Sequence, residues 1–145
     1  MSASANPPAQ DILVPISVGE LIDKIVILEI KSERIKNANQ LANIVNELRA
    51  LRAVRLGEIN RMRLDALAGD LKRVNAKLWD VEDAIRECDA RGDFGDNFIE
   101  LARTVYRFND ERARLKKEIN VESGSRLVEE KSYKSFQRED PGQSR

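Results

Sequence analysis

Residues 67–88 read LAGDLKRVNAKLWDVEDAIREC, and Leu67, Leu71, Val74, Leu78, Val81, Ile85 and Cys88 recur in it at alternating steps of four and three. That rhythm lays the apolar side chains along one stripe of an α-helix, with the slight left-handed drift of a coiled coil. The stretch 101–119 answers it: Leu101, Val105, Phe108, Arg112, Leu115 and Ile119 keep the same spacing. Between them lie Arg91-Gly92-Asp93-Phe94-Gly95, with Asp96 as a helix-capping residue. Gly92 suits the left-handed position past a helix end. A connection this short makes the two helices neighbours, so the sequence predicts an antiparallel hairpin with coiled-coil packing.

The same helical reading extends outward. All four prolines, Pro7, Pro8, Pro15 and Pro141, lie outside 16–140. Ser17 and Glu20 have the capping-box spacing, so a first helix is predicted from Ser17 to about Lys36. Asn37 and Asn39 mark a turn before a second helix at about 40–62, with Gly57 a weak point. The third and fourth helices are predicted at about 65–91 and 97–120, and a short last helix at 126–136 after Gly124-Ser125. The fold class is all-α: an antiparallel bundle of four main helices with a short C-terminal helix. Residues 11–136 form one helical domain, and 1–10 and 137–145 are small or polar and expected to be disordered tails. The segment Ile12-Leu13-Val14-Pro15-Ile16 reads as an extended lead-in wanting a partner, such as a second subunit.

Composition removes several function classes. Hydrophobic residues make up 41% and charged residues 34%, with 25 Lys+Arg against 25 Asp+Glu. A balanced charge provides no global pull toward nucleic acid or a membrane surface. No run of about 18 apolar residues offers a membrane span. With no histidine, Ser-His and Cys-His catalysis and His-ligated metals are out. One cysteine, Cys88, forbids an internal disulfide and a cysteine-built metal site. No Gly-rich phosphate loop, dinucleotide fingerprint or GxSxG is present. A cytoplasmic chain without a cofactor is the resulting expectation.

Polar residues on apolar faces mark the candidate site. On a helical wheel, Glu29 falls mid-arc on the first helix between Ile22 and Ile25, with Glu33 inside the same arc and Asp23 outside it. Arg112 takes a core position between Phe108 and Leu115, flanked by Asn109 and Lys116. Asn75 and Glu82 edge the third helix's stripe. Buried charge without a partner costs several kcal/mol, so these groups should meet. The expectation is a polar layer of Glu29, Glu33, Asn75, Glu82, Asn109, Arg112 and Lys116, with Glu29 or Glu82 as the partner of Arg112. Two readings stay open: a structural salt-bridge layer, or a pocket for a small anion, a polar metabolite or a carboxylate-held metal. Acidic Asp80, Glu82, Asp83, Glu87 and Asp89 are expected opposite Arg103 and Arg107. Trp79, Tyr106, Phe94, Phe98 and Phe108 are expected in the core.

The segments VPISVGELIDKIVILEIKSERI (14–35), LWDVEDAIRECDARGDFGDNFIELARTVYRFNDERARLKKEIN (78–120) and GSRLVEEKSY (124–133) together resemble a family of short bacterial proteins catalogued only as a domain of unknown function. The resemblance implies no chemistry. It does place Arg126, Glu129, Glu130, Lys131 and Tyr133 near the polar layer. Arg, Lys, Glu and Asn inside a helical bundle also resemble the helical chorismate mutases, although Glu29 stands where a cation is wanted. Carboxylates on two helices resemble the all-α nucleoside triphosphate pyrophosphatases, although Glu29/Glu33 and Asp80/Asp83 fit their spacings poorly. The leading expectation is a non-catalytic interaction or assembly module and a homo-oligomer. The alternative is an enzyme using the polar layer.

Overall fold

The structure is a computed structural model that describes residues 10–57 and 60–135. It is all-helical: α1 (Val18–Arg34), α2 (Ala38–Arg52), α3 (Arg61–Ala90) and α4 (Asp96–Ser123). The described residues contain no strand, and no helix among them is long and apolar enough to cross a membrane. The tails expected at 1–10 and 137–145 fall outside the described residues, Gln10 excepted.

Side-chain caps set the first three helix starts. Ser17 Oγ accepts from Glu20 N at 3.1 Å, Asn37 Oδ1 from Gln40 N at 3.0 Å, and Asn60 Oδ1 from Arg63 N at 3.2 Å. Each satisfies an amide the helix cannot. α4 departs from expectation: its cap is Gly95, without a side-chain bond, and Asp96 is already helical. Asp93 instead accepts from Gly95 N, holding the loop. Gly92 and Gly124 both take positive φ, 66° and 63°, ending α3 and α4.

α3 and α4 pack as the expected hairpin, and α1 lies against both. The core joins Ile22 and Val26 of α1 to Leu67, Leu71, Val74 and Leu78 of α3 and Leu115 and Ile119 of α4. α2 packs on the other side of α1, where Leu28 meets Ile44 and Leu48. Ile25 touches both clusters. α1 is therefore sandwiched, which is why it is apolar over so much of its circumference.

Three boundaries correct the sequence reading. α2 stops at Arg52 rather than near residue 62, because Leu56 turns in to pack on the hairpin core. α3 starts earlier, at Arg61, which puts Leu64 in the core. The expected short helix at 126–136 is not formed over 126–135. There Ser125 Oγ donates to Leu127 O at 2.7 Å, while Glu129 and Glu130 reach Lys116 and Lys117 on α4. The segment runs as a strap along α4.

Cover is uneven along the hairpin. At the α1 end, Leu71 and Ile119 are fully buried. Beyond Asp80, where α1 ends beside Arg34, the hairpin continues as an arm. Along it Val81, Ile85, Leu101 and Val105 are only half-buried. Phe94 and Ile99 are 57% and 52% exposed, and Phe94 meets Phe98 edge-on. Of the aromatics expected in the core, Phe94 and Tyr106 are thus exposed, while Trp79, Phe98 and Phe108 are half-buried. Arg103 and Arg107 pair with Glu100 of their own helix instead of the acidic side of α3.

Candidate functional site

The polar centre of the molecule is Asp23, 1% exposed, at the crossing of α1 with α3 and α4. Its carboxylate receives Arg112 Nε at 3.0 Å and Nη2 at 2.5 Å, a two-pronged pairing. Asn75 Nδ2 donates to the same carboxylate at 2.9 Å, and Lys116 Nζ lies 3.9 Å away. Gly19, one turn before Asp23, makes this approach possible. A Cβ there would stand 2.5 Å from Lys116 O, so only glycine lets the two backbones come together. Asn120 Oδ1 accepts from Gly19 N at 2.7 Å, and Ser125 Oγ from Val18 N at 3.1 Å. The first-turn amides of α1 are thereby satisfied by α4 and the start of the strap.

Further charged side chains surround this centre. Lys116 Nζ donates to Glu20 at 2.7 Å and to Glu129 at 3.0 Å, and Glu129 also holds Lys131 at 2.9 Å. Glu20 thus serves Lys116 rather than completing the capping box. The hydrogen bond to Asp23 is the main cause that lifts the Arg112 guanidinium above its ordinary value. Burial acts to lower the Lys116 ammonium, but its bonds to Glu20 and Glu129 and the Asp23 charge outweigh that and raise it. Lys131, then Lys116, pull the Glu129 carboxyl down to about 2. Each of these shifts moves away from neutrality, which suits holding charge rather than moving protons.

Outside the junction lies a groove of about 770 Å³ between α4 and the strap. Arg112 and Lys116 line it together with Glu20, Tyr106, Asn109 and Asp110 on one side and Glu129, Lys131, Tyr133 and Lys134 on the other. Among the described residues no three His, Cys, Asp or Glu side chains gather in a way that could hold a metal ion.

The structure brings together Asn75, Arg112 and Lys116 of the expected polar layer, with Asn109 on the groove wall. The other three lie elsewhere. Glu29 pairs with Lys72 at 3.5 Å and Arg52 at 3.6 Å, in the cleft between α2 and α3. Glu33 pairs with Lys72 at 2.5 Å, and Glu82, among the described residues, only with Arg86 of its own helix. The expected Glu29–Arg112 or Glu82–Arg112 pair is corrected to Asp23–Arg112. Glu29 faces the cleft beside α2, whereas the stripe pressed on the hairpin is Gly19, Ile22, Asp23 and Val26, all buried. Counting only apolar residues misses a stripe half made of glycine and aspartate. Asn120 and Glu20 were missed too. The spacing Gly19–Asp23 on one helix against Lys116–Asn120 on another is the signal that points to them.

The family whose pattern this sequence matches is described as a family of unknown function, DUF6165, and the match spans residues 12–142. The chain belongs to that family. The DUF6165 region takes in the apolar lead-in at 12–16, the whole junction and the strap. No curated protein and no solved structure matches significantly.

Proposed function

We propose that this DUF6165 protein is a non-catalytic assembly module that works as a homodimer joined through the arm of its α3–α4 hairpin. The observation that carries this reading is the open seam: Val81, Ile85, Leu101 and Val105 half-buried, with Phe94 and Ile99 exposed beside them. At about 1.5 Å per residue, the 30 residues of α3 span about 45 Å, while the 17 of α1 reach little over half as far. A second seam of the same kind, laid antiparallel, would close both into a four-helix bundle.

Charge supports the pairing. Asp83, Glu87 and Asp89 on the arm make no ion pair among the described residues, and neither do Lys31 and Lys36 near the α1–α2 turn. That turn stands at the root of the arm, where Arg34 meets Asp80 at 2.6 Å. Antiparallel arms set the tip of one against the root of the other, anions facing cations.

Light scattering at micromolar concentration tests this. The expected mass is twice 16.5 kDa. Ile99→Asp, at an exposed position, should give a folded protein of single mass. A wild-type protein of single mass would sink the reading.

A further inference from the structure

The groove between α4 and the strap is a separate matter from the arm, and its chemistry is more particular. Arg112 is fixed by Asp23 through Nε and Nη2, which leaves Nη1 without a hydrogen bond among the described residues. The outer edge of a guanidinium held this way is pre-aimed at the groove it lines, and its planar fork matches a carboxylate or phosphate. Beside it, the nine-tenths buried Lys116 side chain and the half-exposed Lys131 grip one oxyanion between them, the carboxylate of Glu129. That carboxylate comes from the strap, which has no regular structure of its own over 126–135.

We infer that the groove is a binding site for a small organic anion, whose carboxylate or phosphate takes the place of Glu129 between Lys116 and Lys131 and meets the outer edge of Arg112. Glu129 is then an internal occupant of the site. Its departure does not strand Lys116, because Glu20 stays bonded to that ammonium at 2.7 Å. The groove's volume of about 770 Å³ is that of a pocket for a small organic molecule rather than for a bare ion. Tyr133 on the strap wall offers aromatic surface to its body. Competition between a chain carboxylate and the ligand makes the strap responsive to occupancy: bound anion releases Glu129.

Titration of the full chain with inorganic phosphate and with malonate, at constant ionic strength and followed by calorimetry or amide NMR, tests this against charge-matched controls. Glu129→Gln should tighten binding about fivefold, whereas Glu130→Gln, with the same charge change on neighbouring Lys117, should change it less than about twofold. Lys131→Gln should weaken it about fivefold and Lys117→Gln less than about twofold. All four side chains are exposed or half-exposed, so the fold does not rest on them, and unchanged circular dichroism verifies it. Whichever probe follows this pattern more tightly names the head group. Equal responses of Glu129→Gln and Glu130→Gln, or no binding of either probe to any of these proteins at tens of millimolar, would overturn the proposal.

Discussion

The two ends of the α3–α4 hairpin are built from the same apolar rhythm and end in opposite states. At the α1 end Leu71 and Ile119 are fully buried, and a charged network of Asp23, Arg112, Asn75 and Lys116 sits inside the packing with no buried side-chain N or O lacking a partner among the described residues. At the arm end, Val81, Ile85, Leu101 and Val105 repeat the stripe half-buried beside a buried Cys88, and no third helix among the described residues covers them. Heptad spacing says which side chains face the neighbouring helix. It does not say whether a further layer arrives. Where α1 arrives, glycine and polar residues fix how closely it docks; where none does, the seam stays open.

The comparison implies that substitutions in the covered end act on stability and those in the arm act on association. The largest effect is expected at Asp23. Asp23→Leu leaves Arg112 half-buried without its partner and should cost about 3–5 kcal/mol in urea unfolding. Asp23→Leu/Arg112→Met should recover much of that loss. If the two single changes simply add, within about 0.5 kcal/mol, the pair is not the centre of the covered end.

Gly19→Ala comes next. The added methyl would meet the Lys116 carbonyl at 2.5 Å and push α1 off α4, at an expected cost of about 1–3 kcal/mol. A neutral Gly19→Ala in thermal unfolding would mean the helices have slack there. By contrast, a Cβ at Gly95 in the arm's loop would meet the Asp93 carboxylate at 3.4 Å and no backbone atom within 4 Å outside its chain neighbours, so no close backbone approach fixes that position.

The smallest effect concerns the strap. Glu129 has a folded pKa of about 2, below its ordinary 4.5. A carboxyl depressed on folding stabilises fully above its unfolded pKa, and that contribution is lost as pH falls toward the folded one. The melting-temperature difference between wild type and Glu129→Gln should be constant above about pH 5.5 and should shrink between about pH 4.5 and 2. A difference that persists at pH 2 would mean the strap is held by something other than this carboxylate.

Much of the covered end was legible in the sequence. Leu67, Leu71, Val74 and Leu78 against Leu115 and Ile119 follow from spacing alone, as do the Ser17 cap and the left-handed Gly92. Arg112 stood out because a cation in a leucine stripe needs an anion. Its partner did not, because α1 is pressed from two sides. Glu29 faces the cleft beside α2 although Ile22 in the same arc packs on the hairpin core, and the face that meets α4 carries Gly19 and Asp23, which a hydrophobicity count reads as solvent-facing. The strap was misread as helix because its residues have ordinary helical propensity. What decides it is long-range: Glu129 and Glu130 reach lysines 13 residues back on α4.

The central claim is that the arm is completed by a second copy while the α1 end is complete in one. Hydrogen–deuterium exchange at two protein concentrations, well below and well above the dimer midpoint, tests it most directly. Amides of 66–78 and 112–120 should exchange at the same rate at both, set by unfolding of the covered end. Amides of 81–89 and 98–106 should be markedly slower at the higher concentration, because association removes the open states of the arm. Arm protection that is independent of concentration would contradict the account.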